Sequence, residues 1–469
     1  MTKLNDMTWE ALLRLEGHDC ACGRKHRTNL RFLRVGAGAL NALPEALAAA
    51  NCRKPFVVMD ENTRAAAGDR VLAILTEAGI PFASYTFTHR EAPLEPDERA
   101  VGALTMAFDP GCDSVLAVGS GVLNDCAKVL AHAAGVPSLV VATAPSMDGY
   151  ASDSASMIQN RVKVSLYNAC PVAILADTDV LRKAPERMLH AGLGDMIAKY
   201  ISLFEWRVSH LVIDEYYCDE IAALVRGSLR RVMDNAEGLM RRDEQAVAAV
   251  TEGLVLSGVA MSFAQISRPA SGLEHYFSHL WEMFALEGRV PPSMHGEQCG
   301  VGTCLTLRLL EKLLAQAPSR ETAEEAMRRF SPEAWEKEMR RIFGATADEV
   351  LALESRVHKN DPQAHAHRLQ RILTHWPEIE QAAREELPDA QALEARMNAL
   401  GLPTRPTQLG LSEQDTLDAY FGSREIRDKY LTSTLLWDLG LLAPYAQLLR
   451  QGNEAPIRSL SGATEGRGI

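Results

Sequence analysis

The feature that most constrains this chain is a change of hydrophobic period part-way along it. Up to about residue 183, short apolar runs alternate with helical stretches; beyond that point helical periodicity continues nearly to the end. Pro55-Phe-Val-Val-Met59 and Ser114-Val-Leu-Ala-Val118 are apolar almost throughout. A strand covered on both faces needs that composition, whereas a strand with one wet face alternates. Residues 30–35 and 136–142 complete a set of four such strands, and residues 162–166 and 172–176 read as a closing strand pair. Parallel strands require crossovers, so the pattern predicts an α/β domain over residues 1–183. An all-α helical domain over 184–469 should follow, with helices near 190–208, 214–239, 244–263 and 274–285.

Length and charge narrow the function classes. At 469 residues the chain is too long for one core, and with 47% hydrophobic and 23% charged residues it is of the folded, globular type. A net charge of -12 argues against nucleic acid or an anionic membrane as the main partner. The first residues lack the apolar segment of a secretion signal, and no uninterrupted apolar run approaches the roughly 18 residues of a membrane span. The expectation is a cytoplasmic protein acting on a small metabolite, with no membrane insertion. Nine cysteines, an odd number, suit reduced thiols better than a disulfide framework.

Several stretches carry chemistry. Gly119-Ser-Gly121-Val122-Leu123-Asn124-Asp125 follows an apolar strand and opens a helix, a turn whose exposed amides suit a pyrophosphate. It lacks the third glycine of the usual dinucleotide fingerprint, so a plain strand-to-helix turn remains an alternative. Asp60 ends the strand at 55–59, where a carboxylate can accept ribose hydroxyls and disfavour a 2'-phosphate; a helix cap for Asn62-Thr63 explains it equally well. Thr143-Ala-Pro-Ser146-Met-Asp148-Gly-Tyr-Ala-Ser152 is dense in hydroxyls and follows another strand, at the edge where open α/β sheets bind ligands. Finally, Gly192-Leu-Gly-Asp195-Met-Ile-Ala-Lys199 places a carboxylate behind two glycines, at what reads as the start of an apolar helix. His275 and His279 share a helix face at i and i+4, and His295 lies in a turn after Pro291-Pro292 that must fold back toward them. One carboxylate with imidazoles makes a site for a divalent cation.

Other features are read as structural. Cys20-Ala-Cys22-Gly-Arg-Lys-His26, with His18 nearby, reads as a turn with incidental thiols, because zinc sites use wider cysteine spacing and no fourth ligand follows. Residues 319–400 are rich in Glu, Arg and Ala and read as extra surface helices; His358, His365, His367 and His375 there lack a closely spaced acid or thiol.

Taken together, Gly119–Asp125, Thr143–Ser152, Gly192–Lys199, Glu274-His-Tyr-Phe-Ser-His279 and Met294-His-Gly-Glu297 resemble the sn-glycerol-1-phosphate dehydrogenases, in particular their bacterial AraM-like branch. These belong with glycerol dehydrogenases, iron-containing alcohol dehydrogenases and dehydroquinate synthases. The likeness runs from about residue 20 to 314 and resumes near 400, at Pro403-x-x-Pro406 and Ile426-Arg-Asp-Lys-Tyr430. It implies that residues 1–183 are a dinucleotide-binding domain with the active site in the cleft between it and the helical domain, that Gly119 and the Gly121, Val122, Leu123, Asn124 and Asp125 loop, with Thr143, Ser146 and Ser152, hold NAD(P), and that Asp60 meets the adenosine ribose. It implies that Asp195, His275 and His295 bind one divalent metal per subunit, zinc by first choice with nickel or iron as alternatives. Asp195, Asp148 and His279 would contact substrate, Lys163 is a candidate for its phosphate, and His279 or Asp148 would pass the proton. Glu205-Trp206 replaces the family's Asp-Trp, which reads as a small change outside the site.

The implied reaction is reversible reduction of dihydroxyacetone phosphate to sn-glycerol 1-phosphate, by a homodimer serving phospholipid biosynthesis. A dehydroquinate-synthase-like lyase, a glycerol dehydrogenase acting on unphosphorylated polyol and a non-catalytic metal-binding protein are the alternatives.

Overall fold

The computed structural model describes residues 3–13, 15, 17–88, 94–160 and 162–451. A two-stranded hairpin, β1 (His18–Asp19) and β2 (Lys25–His26), precedes the main sheet. Its six parallel strands are β3 (Phe32–Gly36), β4 (Pro55–Asp60), β5 (Ala83–Phe87), β6 (Ser114–Gly119), β7 (Ser138–Ala142) and β10 (Ala173–Asp177), in the spatial order β3-β10-β7-β6-β4-β5. From β4 the chain steps out to β5, returns to β6 on the other side of β4, and continues outward to β7 and β10. The crevice beyond the carboxyl ends of β4 and β6 is therefore the topological switch point, where sheets of this kind take their ligands.

Why the strands read as unbroken apolar runs is visible in the core. Phe56, Val58, Val115, Ala117, Val140 and Ile174 belong to one buried cluster, while Val57, Met59, Leu116, Val118, Val141 and Leu175 belong to another. Successive side chains point to opposite faces, and both faces are covered. The first cluster is continuous with the core of the helical half, so the sheet and the helices share apolar packing.

Two strand assignments are corrected. Residues 162–166 do not pair with 172–176. Instead β8 (Ser154–Gln159) and β9 (Val162–Tyr167) form a separate antiparallel hairpin, and β10 enters the main sheet between β3 and β7. β5, Ala-Ser-Tyr-Thr-Phe, is an edge strand with only Phe87 buried, and its weak hydrophobic signal hid it.

The helices that build the site are α1 (Gly121–Ala134), α2 (Glu186–Ile197), α3 (Lys199–Ile213), α4 (Asp219–Asp234), α5 (Glu244–Ala264), α6 (Leu273–Leu286), α7 (His295–Leu314) and α8 (Ala347–Val357). The predicted helix over 190–208 is two helices meeting at Ala198, and Asp195 sits in the last turn of α2 rather than at a helix start. His295 is the first residue of α7, not part of a turn. Helix α5 is long and apolar enough to cross a bilayer, but 83% of its most apolar window is buried inside the protein.

The glycines flanking Asp195 have a different purpose from the one the sequence suggested. A Cβ on Gly192 would lie 1.9 Å from the Pro145 carbonyl oxygen, and one on Gly194 would lie 2.0 Å from that of Gly296. Reciprocally, a Cβ on Gly296 would lie 1.8 Å from the Ala191 carbonyl oxygen. Helices α2 and α7 thus meet backbone to backbone, next to Asp195 on the first and His295 on the second.

Gly194→Ala should cost ~1–3 kcal/mol or more, because backbone cannot move aside, even though alanine is the better helix former. Gly102→Ala, within helix Glu98–Ala107 and with open space around its Cβ position, should be neutral or stabilising by up to ~1 kcal/mol. Chemical unfolding of the two variants checks the contrast.

Candidate active site

Asp195 is buried at the meeting of α2, α6 and the 143–152 loop. Its Oδ1 lies 3.4 Å from His275 Nε2 and 3.2 Å from Lys199 Nζ, and its Oδ2 accepts the backbone N–H of Asp148 at 2.9 Å. His275 donates its other nitrogen, Nδ1, to Glu274 at 2.8 Å. Nδ1 of His295 is hydrogen-bonded with Ser278 Oγ at 2.9 Å and lies 3.2 Å from Glu282. With both Nδ1 atoms engaged outward, the Nε2 atoms face inward, an orientation metal-binding imidazoles require. Cys299, one turn along α7 from His295, brings its Sγ to 3.6 Å from His295 Nε2; the donor atoms of His275, His295 and Cys299 lie within 4.8 Å of one another. The His275–Asp195 separation matches the edge of a tetrahedron with bonds of about 2.0–2.2 Å, but the three donors that lie within mutual reach are those of His275, His295 and Cys299, and that set fits a divalent cation with Asp195 against His275.

Charge in this cluster is matched by pairing. Burial opposes the Lys199 ammonium, but Asp148 at 2.7 Å and Asp195 overcome it and hold the group above the usual lysine range. Burial likewise opposes the Asp195 carboxylate, and Lys199 and His275 hold it well below the usual carboxylate range. Burial lowers His295, but Cys299 and Glu282 outweigh it and raise the imidazole to about 10. His279 is different: burial dominates and pushes it down to about 3, leaving a neutral imidazole whose Nδ1 has no hydrogen-bond partner.

The structure brings the three histidines together. Ring centroids of His275 and His295 are 5.2 Å apart, and His279 stands 5.9 Å from His295. His279 and Lys163 line a cavity of about 400 Å³ whose wall also includes Arg356, Ile426, Arg427 and Asp428. Thr346, Glu349, Val350 and Leu353, from α8 and the turn before it, close one side, so part of the additional helical segment covers the cleft.

Asp148 is fixed from three directions. Ser257 of α5 donates to its Oδ2 at 2.9 Å, Lys199 pairs with the same oxygen, and its own N–H is taken by Asp195. At the switch point, Gly119 ends β6 and Gly121, Val122, Leu123 and Asn124 form the first turn of α1, whose start carries no side-chain cap. Uncapped amides at a helix start fit the pyrophosphate of a dinucleotide. Thr143 follows β7 directly and donates its N–H to the Gly119 carbonyl at 3.1 Å. Asp125 accepts the Ser156 N–H at 3.0 Å, so it also holds the β8 strand. Ser146 is buried in the same loop, and the Ser152 hydroxyl bonds to the Gly149 and Ser154 carbonyls and to Lys128 Nζ. Asp60 stands at the tip of β4, with Oδ1 capping the next helix through the Thr63 N–H at 2.7 Å.

Three participants escaped the sequence reading. Glu282 lies at i+7 from His275, on the stripe already marked by His279, and ion-pairs with Lys163 at 3.3 Å as well as with His295. Cys299 had a signal in its i+4 spacing from His295. Glu205, read as lying outside the site, instead accepts the N–H of Leu273 at 3.1 Å and that of Thr432 at 2.8 Å, capping the very helix that carries His275.

The iron-containing alcohol dehydrogenase family matches residues 34–185. Glycerol-1-phosphate dehydrogenase of Halalkalibacterium halodurans is 36% identical over 289 residues, covering 61% of this chain and 72% of that protein. The enzyme of the same name from Geobacillus thermodenitrificans is 32% identical over 361 residues, with 72% and 89% covered. This chain belongs to the glycerol-1-phosphate dehydrogenase family. Glycerol dehydrogenase from Schizosaccharomyces pombe superposes with a TM-score of 0.57 at 17% identity, over 90% of this chain and 92% of that one, which shows a shared fold. In this glycerol-1-phosphate dehydrogenase family member, the α/β half followed by helices is the fold expected from the hydrophobic pattern.

Glu205 supplies a pH test. Burial, then the neighbouring Glu274, raise its carboxyl from 4.5 to about 7. Between those two values the folded state binds more protons than the unfolded state, so this group makes stability fall as pH rises, by about 3 kcal/mol across the window. Unfolding free energies measured from pH 4.5 to 7.5 should show a flatter profile in Glu205→Gln than in the wild type.

Proposed function

We propose that this chain is a metal-dependent oxidoreductase that reversibly reduces dihydroxyacetone phosphate to sn-glycerol 1-phosphate with NAD(P)H. The observation that carries the proposal is one juxtaposition. His275 lies against both Asp195 and His295, and His279, 5.9 Å from His295, lines a cavity whose wall includes the cations Lys163, Arg356 and Arg427. A hydroxy-ketone carrying a phosphate needs both halves of that arrangement.

Asp195, His275 and His295 would hold the cation, with Cys299 beside them, and zinc, nickel or iron all suit this donor set. Gly119, Gly121–Asp125, Thr143, Ser146 and Ser152 would hold the dinucleotide across the switch point, with Asp60 at its ribose. When bound, the cation supplies Lewis acidity at the ketone oxygen and the reduced nicotinamide supplies hydride. The chain's own residues do the rest. Lys199 holds Asp195 ionised and fixes both Asp148 and Asp195, so neither has to reorient during the reaction. His279, neutral and with an unpartnered nitrogen, can accept or donate a hydrogen bond at the substrate hydroxyl and relay a proton to cavity water. Lys163 and Arg427 would grip the phosphate, and α8 limits access of bulk water to the cleft.

Asp195→Ala and His275→Ala should lose the active-site metal and roughly 10³-fold in activity, the several kcal/mol expected of Lewis-acid assistance. Metal analysis and NAD(P)H oxidation with dihydroxyacetone phosphate check this; full activity with the metal gone would reject it. Lys163→Ala or Arg427→Ala should raise KM for dihydroxyacetone phosphate roughly 10- to 100-fold, from loss of a charge-assisted hydrogen bond, with little effect on unphosphorylated dihydroxyacetone. Equal loss on both substrates would argue for a polyol dehydrogenase, and turnover without net NAD(P)H consumption would argue for a lyase.

A further inference from the structure

We infer that Cys20, Cys22, His26 and Cys218 form a second metal centre, a closed structural zinc site separate from the Asp195 cluster. The sequence offers three of the four ligands within seven residues and conceals the fourth, which is supplied by the residue just before α4. The four donor atoms lie within 4.8 Å of one another. Cys20 Sγ is 3.6 Å from Cys218 Sγ, and His26 Nε2 is 3.4 Å from Cys22 Sγ and 3.5 Å from Cys218 Sγ. A tetrahedral zinc with Zn–S of about 2.3 Å and Zn–N of about 2.0–2.1 Å has edges of about 3.8 Å between sulfurs and about 3.5 Å between sulfur and nitrogen. The cluster is already close to that shape.

The surroundings prepare the ligands. His26 is fully buried and its Nδ1 faces the Phe263 carbonyl at 3.0 Å, which fixes the tautomer and leaves Nε2 free to coordinate. Backbone N–H groups of Cys22, Arg24 and Ile221 are hydrogen-bonded to the sulfurs of Cys20, Cys22 and Cys218, as thiolates bound to a cation require. The Tyr216 hydroxyl lies 3.4 Å from Cys22 Sγ, and the Arg24 guanidinium stacks 3.5 Å from the Tyr216 ring centroid, partly covering the site. Three thiolates and one imidazole complete a four-coordinate shell with no open position, which marks a structural rather than a catalytic centre. Cys20, Cys22 and Cys218 are in no disulfide, so their thiols are available.

Such a centre would staple the β1–β2 hairpin to the start of α4, closing a loop of about two hundred residues that neither short element could hold alone. It would also brace the end of α5, since Arg24 donates to the Ala264 carbonyl at 3.3 Å and Ser257 and Ser262 of that helix hold the Asp148 loop.

The test uses the full chain carrying Asp195→Ala and His275→Ala, which removes the active-site cation. Elemental analysis should find one zinc per folded chain, and X-ray absorption should give three sulfurs at about 2.3 Å and one nitrogen at about 2.0 Å. Adding Cys218→Ser should abolish that zinc. In the wild-type protein, where folding of a variant is not in question, Cys20 and Cys22 should resist alkylation until a strong chelator is added. Zinc-free folded protein, zinc retained after Cys218→Ser, alkylation indifferent to chelator, or a Cys20–Cys218 disulfide found by mass spectrometry would each overturn the assignment.

Discussion

Much of the site depends on one buried ammonium. Lys199 has no exposed surface, and its Nζ lies 2.7 Å from Asp148, 3.2 Å from Asp195 and 3.1 Å from the Ala270 carbonyl. These partners come from different parts of the chain: the loop after β7, the last turn of α2, and the segment leading into α6. A charge in that position is tolerable only if every partner stays in place; removing one member of such a pair typically costs about 3–5 kcal/mol. The same requirement that makes the cluster costly to disturb also makes it a rigid mount, and Asp195 and His275 inherit that rigidity.

Backbone contact does for the helices what Lys199 does for the loops. Because Gly194 and Gly296 meet without side chains between them, α2 and α7 pack closely, next to Asp195 on the one and His295 on the other. Glu205 completes the frame by binding the first amide of α6 and the Thr432 amide at once, so the distant C-terminal segment fixes the helix that carries His275, His279 and Glu282.

The legible part of this protein was whatever depends on periodicity or local spacing. Residues 55–59 and 114–118 read as buried strands because both faces of the sheet are covered, and His275 and His279 fall on one helix face by arithmetic. What stayed hidden depends on contacts across long separations. Cys20, Cys22 and His26 looked like an incomplete set because Cys218 stands 192 positions beyond His26. The glycines around Asp195 looked like a helix start because glycine is ambiguous in one dimension, and only the opposing backbone of α7 shows that they exist for close approach. Glu205 was dismissed for a related reason, since a carboxylate that caps a helix sixty-eight positions away leaves no local signature.

Charge links the proposed ligands to one another. Around the site, Asp148, Asp195 and Glu282 contribute three carboxylates, set against the ammoniums of Lys163 and Lys199 and the raised imidazoles of His275 and His295. A dication held by those imidazoles would displace their protons, so its binding and proton release are coupled. The cavity flanked by Lys163, Arg356 and Arg427 offers cations to a phosphate dianion. A net charge of -12 over the whole chain does not conflict with a phosphorylated substrate, because the field that matters is the local one inside the cleft.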